Sequence, residues 1–278
     1  GFEMLFVQRS KSISSPGMFA FPGGVYENLN DSGCLRTTAL RELFEETGVL
    51  FGMSKIGVSL SKDVVLSARQ HMRNNLMQFD SFMSDNNMDI AHEKKQMAHF
   101  TTFVTPEFAS PKFITPFFIK DVTDDDKCCD YLEPDMTETA SVEWVSPSEA
   151  MMRNNAGHMK YLPPQAYIIQ VLNNFKSVGD VFRSLKQSAG GFGSDSGEVT
   201  VDNVLDIRDA RGMVPIKPFK LSQTSTVSGH TSNSGSDDSG HITTRTTNST
   251  TISPSTSTST ASAIRLVFPG DAAHDQFP

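Results

Sequence analysis

The stretch RELFEETGVL, residues 41–50, restricts the possible folds more than any other part of the chain. On a helix of 3.6 residues per turn, positions i, i+3 and i+4 share a face, so Glu42, Glu45 and Glu46 project their carboxylates to one side. Leu40, Leu43, Phe44 and Thr47 fall largely on the other side, as core contacts. Gly48 suits the left-handed residue that closes a helix, and VLFGM (residues 49–53) returns the chain toward extended, apolar structure.

Three carboxylates on one face repel one another, and ordinary surface helices avoid like charges at i, i+4. Arg41 reaches Glu45 at i+4, but one guanidinium does not balance three acids. Hard divalent cations do, because Mg²⁺ and Mn²⁺ take carboxylate oxygen, keep several waters and bridge to phosphates. Just upstream, FAFPGGVYE (residues 19–27) reads as a strand running into Pro22, Gly23 and Gly24, where a backbone turns sharply and approaches a ligand closely. At average residue frequencies, R-E-apolar-x-E-E-x-G-apolar arises by chance on the order of 10⁻⁵ times in a chain of this size.

Gly23, Gly24, Arg41, Glu42, Leu43, Glu45, Glu46, Gly48 and Val49 together resemble the Nudix box, G-x5-E-x7-R-E-U-x-E-E-x-G-U with U aliphatic. The resemblance implies metal-dependent hydrolysis of a nucleoside-linked diphosphate, with Mg²⁺ or Mn²⁺ as cofactor. It implies an α/β fold, the Nudix-type α/β/α sandwich with a mixed sheet. Carried onto this chain, Glu42, Glu45 and Glu46 become metal ligands, the Gly23 carbonyl an added ligand, and Arg41 the partner of a glutamate. Glu45, Glu42 and Arg41 are the catalytic candidates of the helix. Glu138, in an acidic loop outside the box, is the candidate for an extra ligand or general base. Counted from Gly24, the first box glutamate falls on Asn30; counted back from Arg41, it falls on Gly33. The segment is three residues longer than the pattern, and Glu27 and Asp31 both stand open as that acid.

EMLFVQRSKSISSPGMFAFPGGV (3–25), HFTTFVTPEFASPKFITPFFI (99–119), TETASVEWVSPSEA (137–150) and YLPPQAYIIQVLNNF (161–175) resemble, in that order, landmarks of the acyl-coenzyme A diphosphatase branch, motif 19 type. The likeness covers roughly residues 1–185 and returns faintly at LVFPGD (266–271). It implies cleavage of coenzyme A or acyl-coenzyme A to 3',5'-ADP and (acyl-)4'-phosphopantetheine. A coenzyme A motif of related hydrolases is half present in Arg9, Ser10, Gly17 and Phe21 to Gly24, which makes Arg9, Lys11 and Gly24 the substrate-binding candidates. Two alternatives remain open: a Nudix hydrolase of another diphosphate, such as ADP-ribose, NADH or capped RNA, and a Nudix-fold binding module without turnover.

The net charge of -8 argues against generic nucleic-acid binding, which wants a basic face. No apolar run is long enough to span a bilayer. Cys34, Cys128 and Cys129 form neither a disulfide framework nor a zinc spacing and read as thiols of a reducing, intracellular compartment. The family resemblance adds peroxisome or mitochondrion, although the terminal DQFP is not a serine-lysine-leucine signal. Gly1 stands inside what reads as a strand, so the natural start is expected upstream.

The domain expectation is a Nudix domain over 1–185, with a helical insertion over about 54–98. Residues 186–220 read as linker with a possible strand, 221–263 as a Ser/Thr-rich disordered segment, and 264–278 as a short C-terminal element. Within this frame EMLFVQR, MFAFPGG, KFITPFFIKDV and ASVEWV read as strands, and residues 62–82 as one helical stretch. The methionines of that stretch suit core packing better than an acyl pocket. Ser146 to Glu149 is a capping box, and QAYIIQVLNNF carries one apolar face through Tyr167, Ile168, Val171, Leu172 and Phe175. MVPIKPFKL (213–221) and AIRLVFPGD (263–271) are expected to pair as a hairpin. His71, His99 and His158 lack ligand spacing and read as ordinary polar residues.

Overall fold

Phe2–Arg9 (β1) runs through the middle of the sheet because its side chains are apolar on both faces. Leu5 packs into one hydrophobic cluster while Met4 and Phe6 pack into another, the alternation a twofold strand period requires. The computed structural model describes residues 1–27, 30, 31, 33–52, 60–105, 111, 113–123, 128–188, 262–267 and 272–273. All of these fall within one compact unit.

The remaining strands are Phe19–Ala20 (β2), Ala98–Val104 (β3), Phe113–Asp121 (β4), Thr139–Val145 (β5), Ser262–Val267 (β6) and Ala272–Ala273 (β7). β5 lies antiparallel along one edge of β1, from Met4 opposite Val145 to Arg9 opposite Thr139. The other edge is shared by β6, parallel at Phe2–Met4, and β2, antiparallel at Val7 and Gln8. β6 continues the sheet into β4, which pairs β3 on its far side. β7 takes the start of β4, at Phe113 and Ile114. Between the β6 and β7 contacts lies Pro116, which has no ladder donor to offer.

Helices cover both faces. Leu35–Thr47 (α1), Lys62–Arg73 (α2), Phe79–Asp85 (α3) and Ile90–Lys95 (α4) build the cluster containing Leu5, Phe44, Phe82 and Phe118. Pro147–Asn155 (α5), Pro163–Leu172 (α6) and Val178–Ser188 (α7) build the cluster containing Phe6, Phe117, Ile168 and Val181. Each fully buried Phe or Leu contributes about 1.5–3 kcal/mol by leaving water, so this α/β/α layering with a mixed sheet is set chiefly by its two apolar interfaces. The α2–α4 segment is also fixed by a buried ion pair, Lys120 Nζ to Glu93 Oε2 at 2.9 Å, that joins β4 to α4.

Several sequence expectations hold. Ser146 Oγ accepts the Glu149 N–H at 3.2 Å and caps α5, and Ile168 and Leu172 of α6 are buried. Met72, Met83, Met88 and Met97 are core residues.

Others are corrected. Residues 62–82 make two helices instead of one: α2 ends at Arg73, Asn75 adopts the left-handed conformation (φ 55°), and Leu76 is 73% exposed. Asparagine tolerates that conformation, and an exposed Leu76 interrupts the apolar stripe. MFAFPGG supplies only two strand residues. The boundary at 186 falls inside α7, whose Val178, Val181 and Leu185 are all buried. The expected hairpin of residues 213–221 with 263–271 lies partly outside the described residues; of it the structure shows β6, which begins at Ser262 and inserts between β1 and β4. MVPIKPFKL and the Ser/Thr-rich stretch up to residue 261 lie outside the described residues.

Candidate active site

The acidic helix α1 folds as its periodicity requires, with Leu40, Leu43, Phe44 and Thr47 buried. It ends at Gly48, whose φ of 73° favours glycine and whose N–H donates to the Phe44 carbonyl at 2.8 Å. A Cβ there would also collide with the backbone carbonyl of Tyr131.

Arg41 is the hub of the site and is 2% exposed. Its Nε donates to Asp31 Oδ1 at 2.8 Å, and its Nη2 to Asp31 Oδ2 at 3.1 Å and to the Val25 carbonyl at 3.0 Å. Its Nη1 donates to Glu42 Oε1 at 3.0 Å and Glu45 Oε1 at 3.1 Å. Burial alone opposes the charged form, but the Asp31 hydrogen bond and the carboxylates of Glu42, Asp31 and Glu45 outweigh it and push the guanidinium pKa up. Of the two acids open for the first box position, Asp31 therefore takes Arg41, through a two-pronged contact. Glu27 instead gives its backbone N–H to Asp31 Oδ2 at 2.7 Å and accepts the side-chain amide of Asn30.

The three glutamates are starved of positive charge. Burial, then the neighbouring Glu45 charge, raise Glu42 to about 8 despite Arg41. Burial likewise raises Glu45, with Glu27 adding to the effect. Glu46 is raised well above the ordinary range, first by burial and then by Glu42. The glycine turn lies directly on these groups. Gly23 donates its N–H to Glu46 Oε2 at 3.0 Å, and a Cβ built on Gly24 would overlap the Glu42 carboxylate. The Gly23 carbonyl, expected from the sequence as an added ligand, belongs to the same turn whose amide touches Glu46.

Among the described residues, no three His, Cys, Asp or Glu side chains are gathered as a ready metal cage. Glu42 and Glu45 are turned to Arg41, and Glu46 to Gly23. The donor chemistry nonetheless suits a hard divalent ion. Three carboxyl groups largely shielded from water and displayed on one face of α1 are the oxygen donors such an ion takes.

The other candidates are dispersed. Glu138 is exposed in the loop before β5, and its charge raises Glu46, so it faces the site from a distance. Its backbone is organised by Asp135, whose Oδ1 accepts the N–H groups of Thr137, Glu138 and Thr139 at 3.2, 3.1 and 2.8 Å. Arg9 favours ionised Glu46 but is tied to its own loop, with Nε donating to the Ser14 carbonyl at 2.8 Å. Lys11 is exposed. His99 bonds Thr102, and His71 lies against Ser67. Arg69 and Arg73 of α2, which sequence reasoning missed, both reach the Glu45 carbonyl. An i, i+4 pair of arginines is too common on helices to have marked them.

The family model described as NUDT19 Nudix domain matches residues 27–172. A Caenorhabditis elegans protein named "Putative nudix hydrolase 7" is 28% identical over 165 residues, which cover 58% of this chain and 52% of that protein. The chain thus spans about half the length of that relative. The crystal structure of a NUDIX hydrolase from Alicyclobacillus acidocaldarius is similar at a TM-score of 0.47 and 21% identity, covering 64% of this chain and 86% of the other. Since the family match extends over more than half of the sequence and includes the whole acidic helix, the chain belongs to the Nudix superfamily, in its NUDT19-like branch.

Proposed function

We propose that the protein hydrolyses the diphosphate bond of coenzyme A or acyl-coenzyme A, giving 3',5'-ADP and (acyl-)4'-phosphopantetheine. The observation that carries this is the acidic trio of α1: Glu42 and Glu45 share the Arg41 guanidinium, Glu46 accepts the Gly23 amide, and Glu42 lies against Gly24. Support for coenzyme A over other diphosphates comes from the branch of the family. Mg²⁺ or Mn²⁺, when bound, offsets diphosphate charge and acidifies water. Arg41, itself anchored by Asp31, holds Glu42 and Glu45, and the Gly23 amide holds Glu46, so that orientation is settled before substrate arrives. Glu138 is the proposed general base, taking a proton from the attacking water. Arg9 and Lys11 are the proposed phosphate partners, and the small Gly24 lets the diphosphate approach the helix. The family also suggests a peroxisomal or mitochondrial location, which imaging of the full-length protein tests. No helix among the described residues is long and apolar enough to cross a membrane.

A panel of coenzyme A, acyl-coenzyme A, ADP-ribose, NADH and capped RNA, incubated with Mg²⁺ or Mn²⁺ and resolved by chromatography, tests the assignment. Release of 3',5'-ADP from the coenzyme A substrates, well ahead of cleavage elsewhere, is expected. Preferential cleavage of another compound refutes the substrate, and absence of any cleavage refutes the enzyme.

The raised Glu42 carboxyl makes a second prediction. Near pH 7 the metal-free protein holds a proton there that a cation must displace. Mn²⁺ affinity therefore rises with pH through about 8, by up to about tenfold per pH unit for each carboxyl proton the cation displaces. Stability of the metal-free protein has the opposite sign. The contribution of this carboxyl is fully present below its unfolded pKa and is lost as pH rises through about 8. Electron paramagnetic resonance titration with Mn²⁺ from about pH 6 to about pH 9 measures the first effect; a flat affinity contradicts it.

A further inference from the structure

A helix leaves its last four carbonyls without intrahelical partners, and the end of α1 accounts for all of them. The Phe44 carbonyl accepts Gly48 N–H at 2.8 Å, Glu46 accepts Asp135 N–H at 3.2 Å, and Thr47 accepts Glu133 N–H at 3.0 Å. The Glu45 carbonyl is served by side chains instead of backbone. Arg69 Nε and Nη2 donate to it at 3.1 and 2.9 Å, and Arg73 Nη1 at 3.2 Å.

Arg69 is 2% exposed and extends the same Nη2 to the Glu133 carbonyl at 3.1 Å. One guanidinium thereby ties the end of α1 to the loop that also carries Asp135 and Glu138. Arg73 is half-buried and lies 3.8 Å from Asp135 Oδ2. Both arginines line a cleft of about 330 Å³ with Leu66, Pro134 and Met136. A buried arginine loses a large hydration energy, and the carbonyl bonds at a helix C-terminus, where the dipole is negative, offset part of it. That placement is costly for a fold that needs only a capped helix, since a water or a glycine turn would do.

We propose that Arg69 and Arg73 are positioning residues. They clamp the turn carrying Glu45 and Glu46 so that both carboxylates keep the aim a divalent cation requires. The inference rests on the metal-binding reading of those glutamates. It also gives the helical insertion a part in the chemistry, since α2 supplies both groups.

The sign of the effect separates a clamp from simple electrostatics. Arg73 beside Glu45 repels a cation, so removing its charge should tighten metal binding if charge were its whole role. Loss of the clamp weakens binding instead. Two substitutions divide the question: Arg69→Lys keeps the charge but lacks the rigid planar fork of the guanidinium, and Arg73→Gln changes a half-buried position.

The experiment measures Mn²⁺ dissociation constants by electron paramagnetic resonance, with amide hydrogen exchange over residues 44–52 in metal-free protein, well below the melting temperature of each variant. Arg69→Lys is expected to weaken Mn²⁺ binding about tenfold, and Arg73→Gln several-fold. Both should speed exchange at the helix end, and kcat should fall with KM little changed. Should Arg69→Lys not fold, Arg73→Gln decides alone. Unchanged or tighter Mn²⁺ binding with unchanged exchange overturns the clamp. If wild-type protein binds no Mn²⁺ at all, the metal reading is what fails, and faster exchange in the variants would still reveal the helix-end tie.

Discussion

Glu45→Gln is expected to lower turnover of coenzyme A esters roughly a thousandfold, equivalent to about 4 kcal/mol of transition-state stabilisation, with the fold intact. The substitution keeps the size and hydrogen-bonding oxygen of the side chain, so the Arg41 contact at 3.1 Å can survive. What it removes is the negative charge, in a cluster whose elevated proton affinities indicate how strongly its carboxylates seek a cation. A matching change at an exposed acid such as Asp63 of α2 serves as the control, since that residue lies in the first turn of a different helix. Circular dichroism and thermal melts establish folding, and initial rates with saturating Mn²⁺ establish chemistry. Full activity in Glu45→Gln, with Mn²⁺ affinity unchanged, would reduce this carboxylate to an Arg41 partner and remove it from the reacting centre.

How much of this was legible in the sequence depends on the range of the interaction concerned. The acid face of α1 and its terminal Gly48 were legible because both arise from spacing within one helix. So were the buried β1 and β4 strands, whose apolar character on both faces needs no knowledge of their neighbours. The break after Arg73 was not, because it depends on one left-handed asparagine and an outward Leu76, neither of which disturbs the apolar count of the stretch. The central place of β6 was also hidden. A six-residue strand after a long polar stretch carries no indication of which sheet edge it joins, or that it runs parallel to β1.

The site divides in the same way. Glu42, Glu45 and Glu46 follow from the helix period. The choice between Glu27 and Asp31 depends on how a loop three residues longer than the family pattern folds back, and only coordinates reveal the two-pronged contact to Arg41. The clamp by Arg69 and Arg73 ends on a backbone carbonyl, and every residue has one, so no partner residue type could have signalled it. Arg9 and Lys11 came from half of a motif, and neither packs against the acid cluster in the way Arg41 does.

Asp31 carries the largest expected effect on stability. It is fully buried, and it faces Arg41 through both oxygens while also accepting the backbone N–H of Glu27 at 2.7 Å. Asp31→Ala leaves a buried guanidinium with two of its five N–H groups unpaired and only Glu42 and Glu45 to face its charge. Removing one partner of a buried pair costs about 3–5 kcal/mol, which for a domain of this size lowers the melting temperature on the order of 10 °C. Asp31→Asn restores one acceptor but not the charge, and should recover only part of the loss. Glu27→Ala should cost far less, because Glu27 is only half-buried and the backbone N–H it gives to Asp31 survives the change. The same order should appear in Mn²⁺ affinity, since a loosened Arg41 frees Glu42 and Glu45 to wander. If melts rank Glu27→Ala as the more damaging substitution, the acid that completes the glutamate box is Glu27, and the contact between Asp31 and Arg41 is a bystander to both fold and site.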